Sequence, residues 1–172
     1  METLPLNHPL KPSERWITYV FFLNKLLDLL DTVFFVLRKS FKQITILHIY
    51  HHVIMFYGMY WVLRIYGTGG QYAMMGFLNS FVHTVMYSYY FISALYPELK
   101  GSLWWKKYIT RLQLLQFILL FFQAAFVLIF NPTCGFPTLL HYMQLAVAIT
   151  FTAMFSNFYY HAYIKPKQVK EQ

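Results

Sequence analysis

Long apolar segments separated by short polar connections make up most of this sequence. Because a helix needs about 20 apolar residues to cross a bilayer, each of these segments is long enough to span a membrane. They extend over about residues 16–37, 44–65, 72–96, 108–130 and 138–164. Helix-breaking Pro97, Pro132 and Pro137 lie in connections, and the cluster GTGG, residues 67–70, marks another turn. The pattern predicts one polytopic membrane domain, residues 16–164, between a non-membrane segment, residues 1–15, and a basic tail, residues 165–172.

Composition narrows the class of protein. Hydrophobic residues make up 58% of the 172 residues and charged residues only 12%, about half the fraction usual in soluble domains. Since a lipid-exposed backbone must satisfy its own hydrogen bonds, we predict an all-α integral membrane protein, a bundle of about five transmembrane helices. Aromatic residues, at 22%, exceed what interfacial belts need and can also line a cavity. The single cysteine, Cys134, excludes an intrachain disulfide.

The distribution of basic residues predicts an orientation. Ten of the 14 lysines and arginines lie in the first connection, the third connection and the tail. Short cytoplasmic loops carry such an excess, so this side faces the cytosol and the C-terminus is cytosolic. The net charge of +8 then reflects basic loops that face the anionic headgroups of the lipid bilayer. Nucleic acid is not expected as a partner.

The first apolar segment carries charged residues on one face. Lys25, Asp28, Asp31 and Thr32 fall within an arc of about 120° on a helix. Lys25 and Asp28 are spaced to form an ion pair. Such a pair can simply lock helices together, but ionisable residues inside a span usually mark a functional interior.

The second segment begins with HIYHH, residues 48–52. His48, His51 and His52 share a helix face about 100° wide. A lone histidine there is usually a satisfied core residue, whereas three on one face indicate a function. The other three segments also carry polar stripes. In the third segment the stripe is Asn79, His83, Tyr87 and Tyr90, and in the fourth it is Thr110, Gln113 and Gln116. The polar residues of the fifth segment are His141, Gln144, Asn157, Tyr160, His161 and Tyr163. The glutamines suit either helix packing or substrate binding. Together the stripes predict one shared polar interior.

Two chemistries fit a cluster of histidines. Neutral imidazole is a common ligand of zinc or non-haem iron. The chain has too few histidines for the two-iron sites of membrane desaturases, but a single zinc ion stays possible. Alternatively, a desolvated imidazole can act as a nucleophile and general base on a thioester, with its neighbours setting its tautomer. The residues alone leave both chemistries open.

Five motifs in order resemble one known family. KLLDLLDTVFFVLRK, HIYHH, NSFVHTVMYSYY, TRLQLLQF and SNFYYHAY are similar to motifs of the ELO-type very-long-chain fatty acid elongases. The resemblance extends from about Trp16 to Lys165. It implies an endoplasmic reticulum enzyme, a 3-ketoacyl-CoA synthase, that condenses acyl-CoA with malonyl-CoA and releases carbon dioxide and CoA. It implies no metal and no cofactor.

The resemblance also implies roles for individual residues. His51 would accept the acyl group, with His83 as a second reactive imidazole and His48 and His52 as orienting neighbours. A supporting polar network would comprise Lys25, Asp28, Asp31, Thr32, Asn79 and Tyr87. Substrate and CoA would be bound by Gln113, Gln116, Lys106, Lys107, Arg111, Asn157 and Tyr160. An apolar tunnel would hold the acyl tail, and its closed end would limit chain length.

The sequence departs from the family pattern in two ways. The family usually has Glu at the position of Asp28, so this chain's carboxylate reaches about one methylene less far. Family members usually have seven spans in a barrel, and the match begins at the third, which predicts a truncated product, a fragment or a shortened paralogue. The expected partners are other enzymes of the elongation cycle and a homodimer or heterodimer with other elongases. A metal-dependent oxidoreductase and a non-catalytic elongase relative stay as alternative functions.

Overall fold

The computed structural model describes residues 4–96, 98, 103–131 and 135–165. Cys134 and most of the predicted tail, residues 166–172, lie outside the described residues, as do residues 1–3. The regular structure in the described ranges is helical. The helices are α1 (Lys11–Leu27), α2 (Leu30–Leu37), a 3₁₀ turn (Phe41–Gln43), α3 (Ile46–Ile65), α4 (Tyr72–Leu95), α5 (Leu103–Phe130) and α6 (Thr138–Tyr159), which continues as a π turn (Tyr160–Ile164).

The protein is an all-α membrane protein, as the sequence predicts. Two of the described helical segments, Trp105–Phe130 and Thr138–Ile164, pass length and composition criteria for crossing a bilayer, with mean hydropathies of 2.2 and 1.4. Phe122, Ile129 and Phe130 of α5 are more than 60% exposed, as expected for side chains that face lipid. That the other three apolar segments also cross the membrane stays a prediction.

The first apolar segment contains two helices rather than one. Between α1 and α2 the backbone forms tighter bonds, from Leu29 N to the Leu26 oxygen at 3.2 Å and from Asp31 N to the Asp28 oxygen at 3.3 Å. This i to i+3 pattern is typical of a 3₁₀ stretch, which often marks a functional position within a helix. The stretch lies between Lys25 and Thr32, so the predicted face of Lys25, Asp28, Asp31 and Thr32 is not on one continuous helix.

The helices are arranged in an open ring. α5 packs most extensively on α6, α4 packs on α5, α3 packs on α6, and α1 packs on α3. The order around the ring is therefore α1, α3, α6, α5 and α4, with α1 and α4 on either side of a cleft. One end of the ring is closed by an apolar cluster of Val62, Phe136 and Leu140.

Candidate functional site

The first two turns of α3 place its three histidines inside the ring. Thr45 caps this helix, because its Oγ1 accepts a hydrogen bond from His48 N at 3.1 Å. The ring centroids of His48 and His52 are 4.3 Å apart, and those of His51 and His52 are 5.3 Å apart. His83 of α4 stacks against His51 at 6.3 Å with an angle of 27° between the rings. The four predicted catalytic histidines therefore form one cluster.

A buried ion pair lies on the α1 side of the ring. Lys25 Nζ is 2.8 Å from Asp28 Oδ2, and the two side chains are only 2% and 9% exposed. The Lys25 ammonium also lies 5.0 Å from the ring centre of Phe21. With a carboxylate on one side and an aromatic face on the other, the ammonium is stabilised without water.

Two hydrogen bonds connect the α2 region to the histidine-bearing helices. Thr32 Oγ1 is 2.9 Å from His48 Nε2. The Tyr87 hydroxyl of α4 donates to Asp31 Oδ2 at 3.1 Å, and its ring lies 5.7 Å from that of His83. The contact with Thr32 fixes the orientation of His48 directly, and the packing of Tyr87 fixes that of His83. Thr32, Asp31 and Tyr87 thus lie where a supporting network is predicted.

Phenylalanines of α5 and α6 form a wall that the sequence reasoning missed. The His51 ring lies 5.2 Å from Phe151 and 6.2 Å from Phe155. Phe117 contacts both phenylalanines, at 5.2 and 5.0 Å. The spacing FTAMF, residues 151–155, which places two aromatics on one helix face just before SNFYYHAY, is the signal that could have found them. The wall thus covers one side of His51 with aromatic rings.

The predicted substrate-binding residues lie along α5 and at the end of α6. Gln116 is buried and Gln113 is half-buried, with its Nε2 3.7 Å from Met86 Sδ. Arg111 donates from Nε to the Tyr159 hydroxyl at 2.8 Å, and its guanidinium lies over the ring of Tyr159 at 5.7 Å. Lys106, Lys107, Asn157 and Tyr160 are exposed or half-buried. Their contacts with substrate stay predictions.

Two buried polar atoms beside the cluster have no hydrogen-bond partner among the described residues. They are Asn79 Oδ1 and His83 Nδ1. An unsatisfied buried polar atom costs free energy, so its presence in a functional interior is typical of an atom that bonds to a ligand or to water. Asn79 lies one helical turn before His83, which places both atoms on the same face of α4.

The donor groups can also be tested for metal binding. Within the described part of the chain, no three side chains of His, Cys, Asp or Glu converge closely enough to hold a metal ion. The rings of His48 and His52 are close, but Nε2 of His48 is already within hydrogen-bond distance of the Thr32 hydroxyl.

An apolar cleft lies between α1 and α4. It has a volume of about 760 Å³ and is lined by α1, the end of α3, the 67–69 turn and the first half of α4. Ile17, Phe21, Met59, Val62 and Phe77 provide much of its surface. At one end lie Asn24, next to Lys25, and Ser80, almost one turn from His83. Among the described residues, the cluster histidines and the Lys25–Asp28 pair are not part of its lining, so the cleft is a separate, mainly apolar surface.

Comparison with known proteins identifies the family. The model of the ELO family, described as the GNS1/SUR4 family, matches residues 7–171. The chain belongs to the GNS1/SUR4 family. The resemblance of its five motifs to ELO-type elongases is thereby confirmed.

Members of the GNS1/SUR4 family similar to this chain carry a common name. Very long chain fatty acid elongase F of Drosophila melanogaster is 42% identical over 164 residues, which cover 95% of this chain and 63% of that protein. Very long chain fatty acid elongase 4 of Homo sapiens is 43% identical over 150 residues, 87% of this chain and 47% of that protein. The chain therefore spans less than two thirds of the length of these curated relatives.

Proposed function

We propose that this chain carries out the condensation step of fatty acid elongation. Long-chain acyl-CoA and malonyl-CoA would give a 3-ketoacyl-CoA that is two carbons longer, carbon dioxide and free CoA. The observation that supports this proposal is the stacking of His51 against His83 at 6.3 Å, next to a buried ion pair and against the phenylalanines of α6. An acyl thioester needs all three: a nucleophile, polar groups around its carbonyl and apolar surroundings.

In the first step, a ring nitrogen of His51 attacks the thioester carbonyl of acyl-CoA. A nitrogen–carbon bond forms, the carbon–sulfur bond breaks, and the CoA thiolate leaves and takes up the proton that the imidazole loses. Phe151 and Phe155 exclude water from the acyl-imidazole, which would otherwise hydrolyse. Asn79 and His83 face the same space and can bond to the carbonyl or the incoming CoA ester.

In the second step, malonyl-CoA loses carbon dioxide, and the electron pair of the broken carbon–carbon bond forms an enolate. Its carbon attacks the acyl carbonyl and the nitrogen–carbon bond breaks. The departing imidazole nitrogen takes up one proton from the aqueous phase, which regenerates neutral His51; the condensation thus consumes one proton overall. No oxidant, reductant or strong base is needed, because decarboxylation supplies the carbanion. The Lys25 ammonium, held by Asp28 at 2.8 Å, provides positive charge near a reaction that passes through anions.

The CoA moiety would lie at the basic end of the ring. Lys106, Lys107 and Arg111 begin α5 there, and the positive charge of this connection suits phosphates. This end would face the cytosol in the endoplasmic reticulum membrane, consistent with the excess of basic residues on that side.

The proposal is tested by expressing the chain in microsomes of an elongase-deficient host. Labelled malonyl-CoA and a panel of acyl-CoAs are supplied, and products two carbons longer are measured. His51→Ala should lower product formation by at least about 100-fold, since it removes the nucleophile. His161→Ala is the matched control, because this histidine is exposed and outside the cluster. Absence of product from a correctly inserted wild-type chain, or equal product from the His51 variant, would contradict the proposal.

A further inference from the structure

The outer face of α5 carries a charged residue, Arg111, at the basic end of a continuous apolar stripe. Four apolar side chains lie within about 40° of the direction of Arg111 on the helix: Leu115, Ile118, Phe122 and Ile129. These four are between 40% and 69% exposed, and Arg111 is also exposed. The buried Leu120 lies about 180° away. Arg111 therefore lies on the side of α5 that faces lipid, and not on the side that faces the interior of the ring.

The depth of Arg111 along α5 matches that of a lipid phosphate. At about 1.5 Å per residue, Phe130 at the end of α5 lies roughly 28 Å along the helix axis from Arg111. The hydrocarbon core of a bilayer is about 30 Å thick, so with Phe130 near one boundary the Arg111 backbone lies near the other. The long side chain then reaches the headgroup region. The excess of basic residues predicts that this end of α5 faces the cytosol.

Two tyrosines hold the Arg111 guanidinium in place. Its Nε donates a hydrogen bond to the Tyr159 hydroxyl at 2.8 Å. Its Cζ lies 5.5 Å from the ring centre of Tyr108 and 5.7 Å from that of Tyr159, both within the range of about 6 Å over which a ring attracts a guanidinium. Tyr163, on the π turn after α6, packs on Tyr159 with ring centres 5.3 Å apart. The guanidinium is thus oriented by the protein itself.

The terminal nitrogens of Arg111 are left for an anion. The bond from Nε uses one N–H group of the guanidinium, and those on Nη1 and Nη2 stay available. In the described part of the chain, no carboxylate lies within salt-bridge distance of Arg111. Lys107, one turn earlier and about 40° around α5, adds positive charge on the same side. Paired N–H groups of arginine match the oxygens of a phosphate, which they bind in a bidentate arrangement.

We propose that Arg111 binds the phosphate of an anionic phospholipid whose acyl chains lie along the outer face of α5. The exposed stripe gives the chains an apolar contact surface, and Arg111 with Lys107 gives the positive charge that favours an anionic over a zwitterionic headgroup. Basic pockets beside transmembrane helices on the cytosolic side bind such headgroups in other proteins. Tyr159 is the positioning residue of the site, because its hydroxyl and ring orient the guanidinium.

CoA is the other source of phosphate at this end of the molecule. Lys106 lies about 140° around α5 from Arg111 and within about 20° of the half-buried Gln113. Gln113 contacts Met86 of α4, so its side of α5 faces the ring. Lys106 therefore suits CoA, whereas Arg111 suits a lipid. Lipid binding at Arg111 does not depend on the proposed condensation.

The test uses the purified chain in phosphatidylcholine nanodiscs that contain a minor fraction of phosphatidic acid with a photoreactive diazirine close to its glycerol. After irradiation, labelled peptides are identified by mass spectrometry. The label should fall at the basic end of α5, around Tyr108, Arg111 and Leu115. A phosphatidylcholine probe with the diazirine in the same place should label this segment at least about threefold less. Equal labelling by the two probes, or labels spread evenly over the exposed helices, would overturn the proposal.

Variants separate the charge, the geometry and the background. Arg111→Gln should lower phosphatidic acid labelling of α5 at least about threefold. Arg111→Lys keeps the charge but loses the planar fork, and Tyr159→Phe keeps the ring but loses the hydrogen bond, so each should lower labelling about twofold. Arg64→Gln is the matched control, because it removes one exposed charge at the end of α3 and should leave α5 labelling unchanged. Unchanged labelling in folded Arg111→Gln and Arg111→Lys proteins, or an equal loss in Arg64→Gln, would refute the site.

Competition by CoA distinguishes the two sources of phosphate. Excess CoA should leave phosphatidic acid labelling of α5 unchanged in the wild type, because the two ligands lie on different sides of the helix. Loss of the label on addition of CoA would assign Arg111 to CoA and overturn lipid binding. Condensation is assayed separately with labelled malonyl-CoA, so absent product with the Arg111-dependent label intact would count against the proposed function alone.

Discussion

Removal of one partner of the Lys25–Asp28 pair should destabilise the fold strongly. Lys25→Met keeps the length and apolar stem of the side chain and removes its charge. Asp28 would then be left with a carboxylate that is only 9% exposed and has lost its partner at 2.8 Å. Breaking a buried ion pair by removing one member typically costs about 3–5 kcal/mol.

The double variant Lys25→Met/Asp28→Leu gives the matched comparison. Replacement of both charges by apolar groups of similar size is often neutral, because the cost of desolvating the two charges disappears with them. We therefore expect the double variant to recover most of the loss, with a coupling of at least about 2 kcal/mol between the two sites. Both variants should lose condensation activity, since the ammonium next to His83 is absent in each.

Stability is measured by denaturant unfolding in detergent, followed by tryptophan fluorescence, for the wild type, both single variants and the double variant. The expected loss for Lys25→Met corresponds to about a 100-fold or larger change in the folding equilibrium. A loss below about 1 kcal/mol would show that water reaches the pair. A double variant as unstable as Lys25→Met would show that packing of the lysine stem, rather than charge pairing, holds this region.

Three further changes follow from individual contacts. Thr32→Val removes the hydroxyl 2.9 Å from His48 Nε2 and should lower kcat with little change in KM; an unchanged kcat would show that His48 needs no such partner. Thr45→Ala removes the cap of α3 and should cost about 1 kcal/mol in the same unfolding assay, with Thr84→Ala as a surface control. Burial raises the pKa of Glu14, but hydrogen bonds from Lys11, Thr68 and Leu4 N outweigh it and hold this pKa below its ordinary value of 4.5. The stability that Glu14 contributes is therefore complete above pH 4.5 and is lost as pH falls through the lowered pKa. Wild type should exceed Glu14→Gln in stability at neutral pH, and the difference should narrow on acidification; a constant difference would show that the charge of the Glu14 carboxylate contributes nothing to stability.

The polar residues of the candidate site could be named from the sequence because helical periodicity is local. Lys25 and Asp28 are one turn apart and so are the three histidines of HIYHH, and each set depends only on its own turn of helix. The helical period places Thr32 on the same face as Lys25, but the break between α1 and α2 lies between them. A charge within an apolar segment is costly anywhere in the membrane, so its presence in the sequence is enough to indicate a polar interior. The stacking of His51 on His83 required knowledge of which helix faces meet.

The same reasoning did not find Phe151 and Phe155 beside His51, or the contacts of Glu14 with Lys11 and Thr68. Phenylalanine in an apolar helix carries no signal that separates a lipid-facing ring from one that packs on a catalytic histidine. Glu14 lies in the segment that the hydrophobic pattern predicts to be outside the membrane. Its partner Thr68 lies in the connection between the second and third apolar segments, far from Glu14 in sequence. The close approach of the Glu14 carboxyl group to Gly69 depends on the positive φ of Gly69, a conformation that glycine permits but does not require.

The sequence by itself determined that the protein is helical, lies in a membrane and carries histidines and an ion pair inside its apolar segments. These features follow from the composition of each segment and from the helical period of 3.6 residues, and both can be read within a few turns of one helix. The tertiary structure alone decided the order of helices around the ring, the break between α1 and α2, and the aromatic wall. Those depend on side-chain packing between segments far apart in the chain, where many pairings bury similar apolar area and only the complete set of contacts selects one.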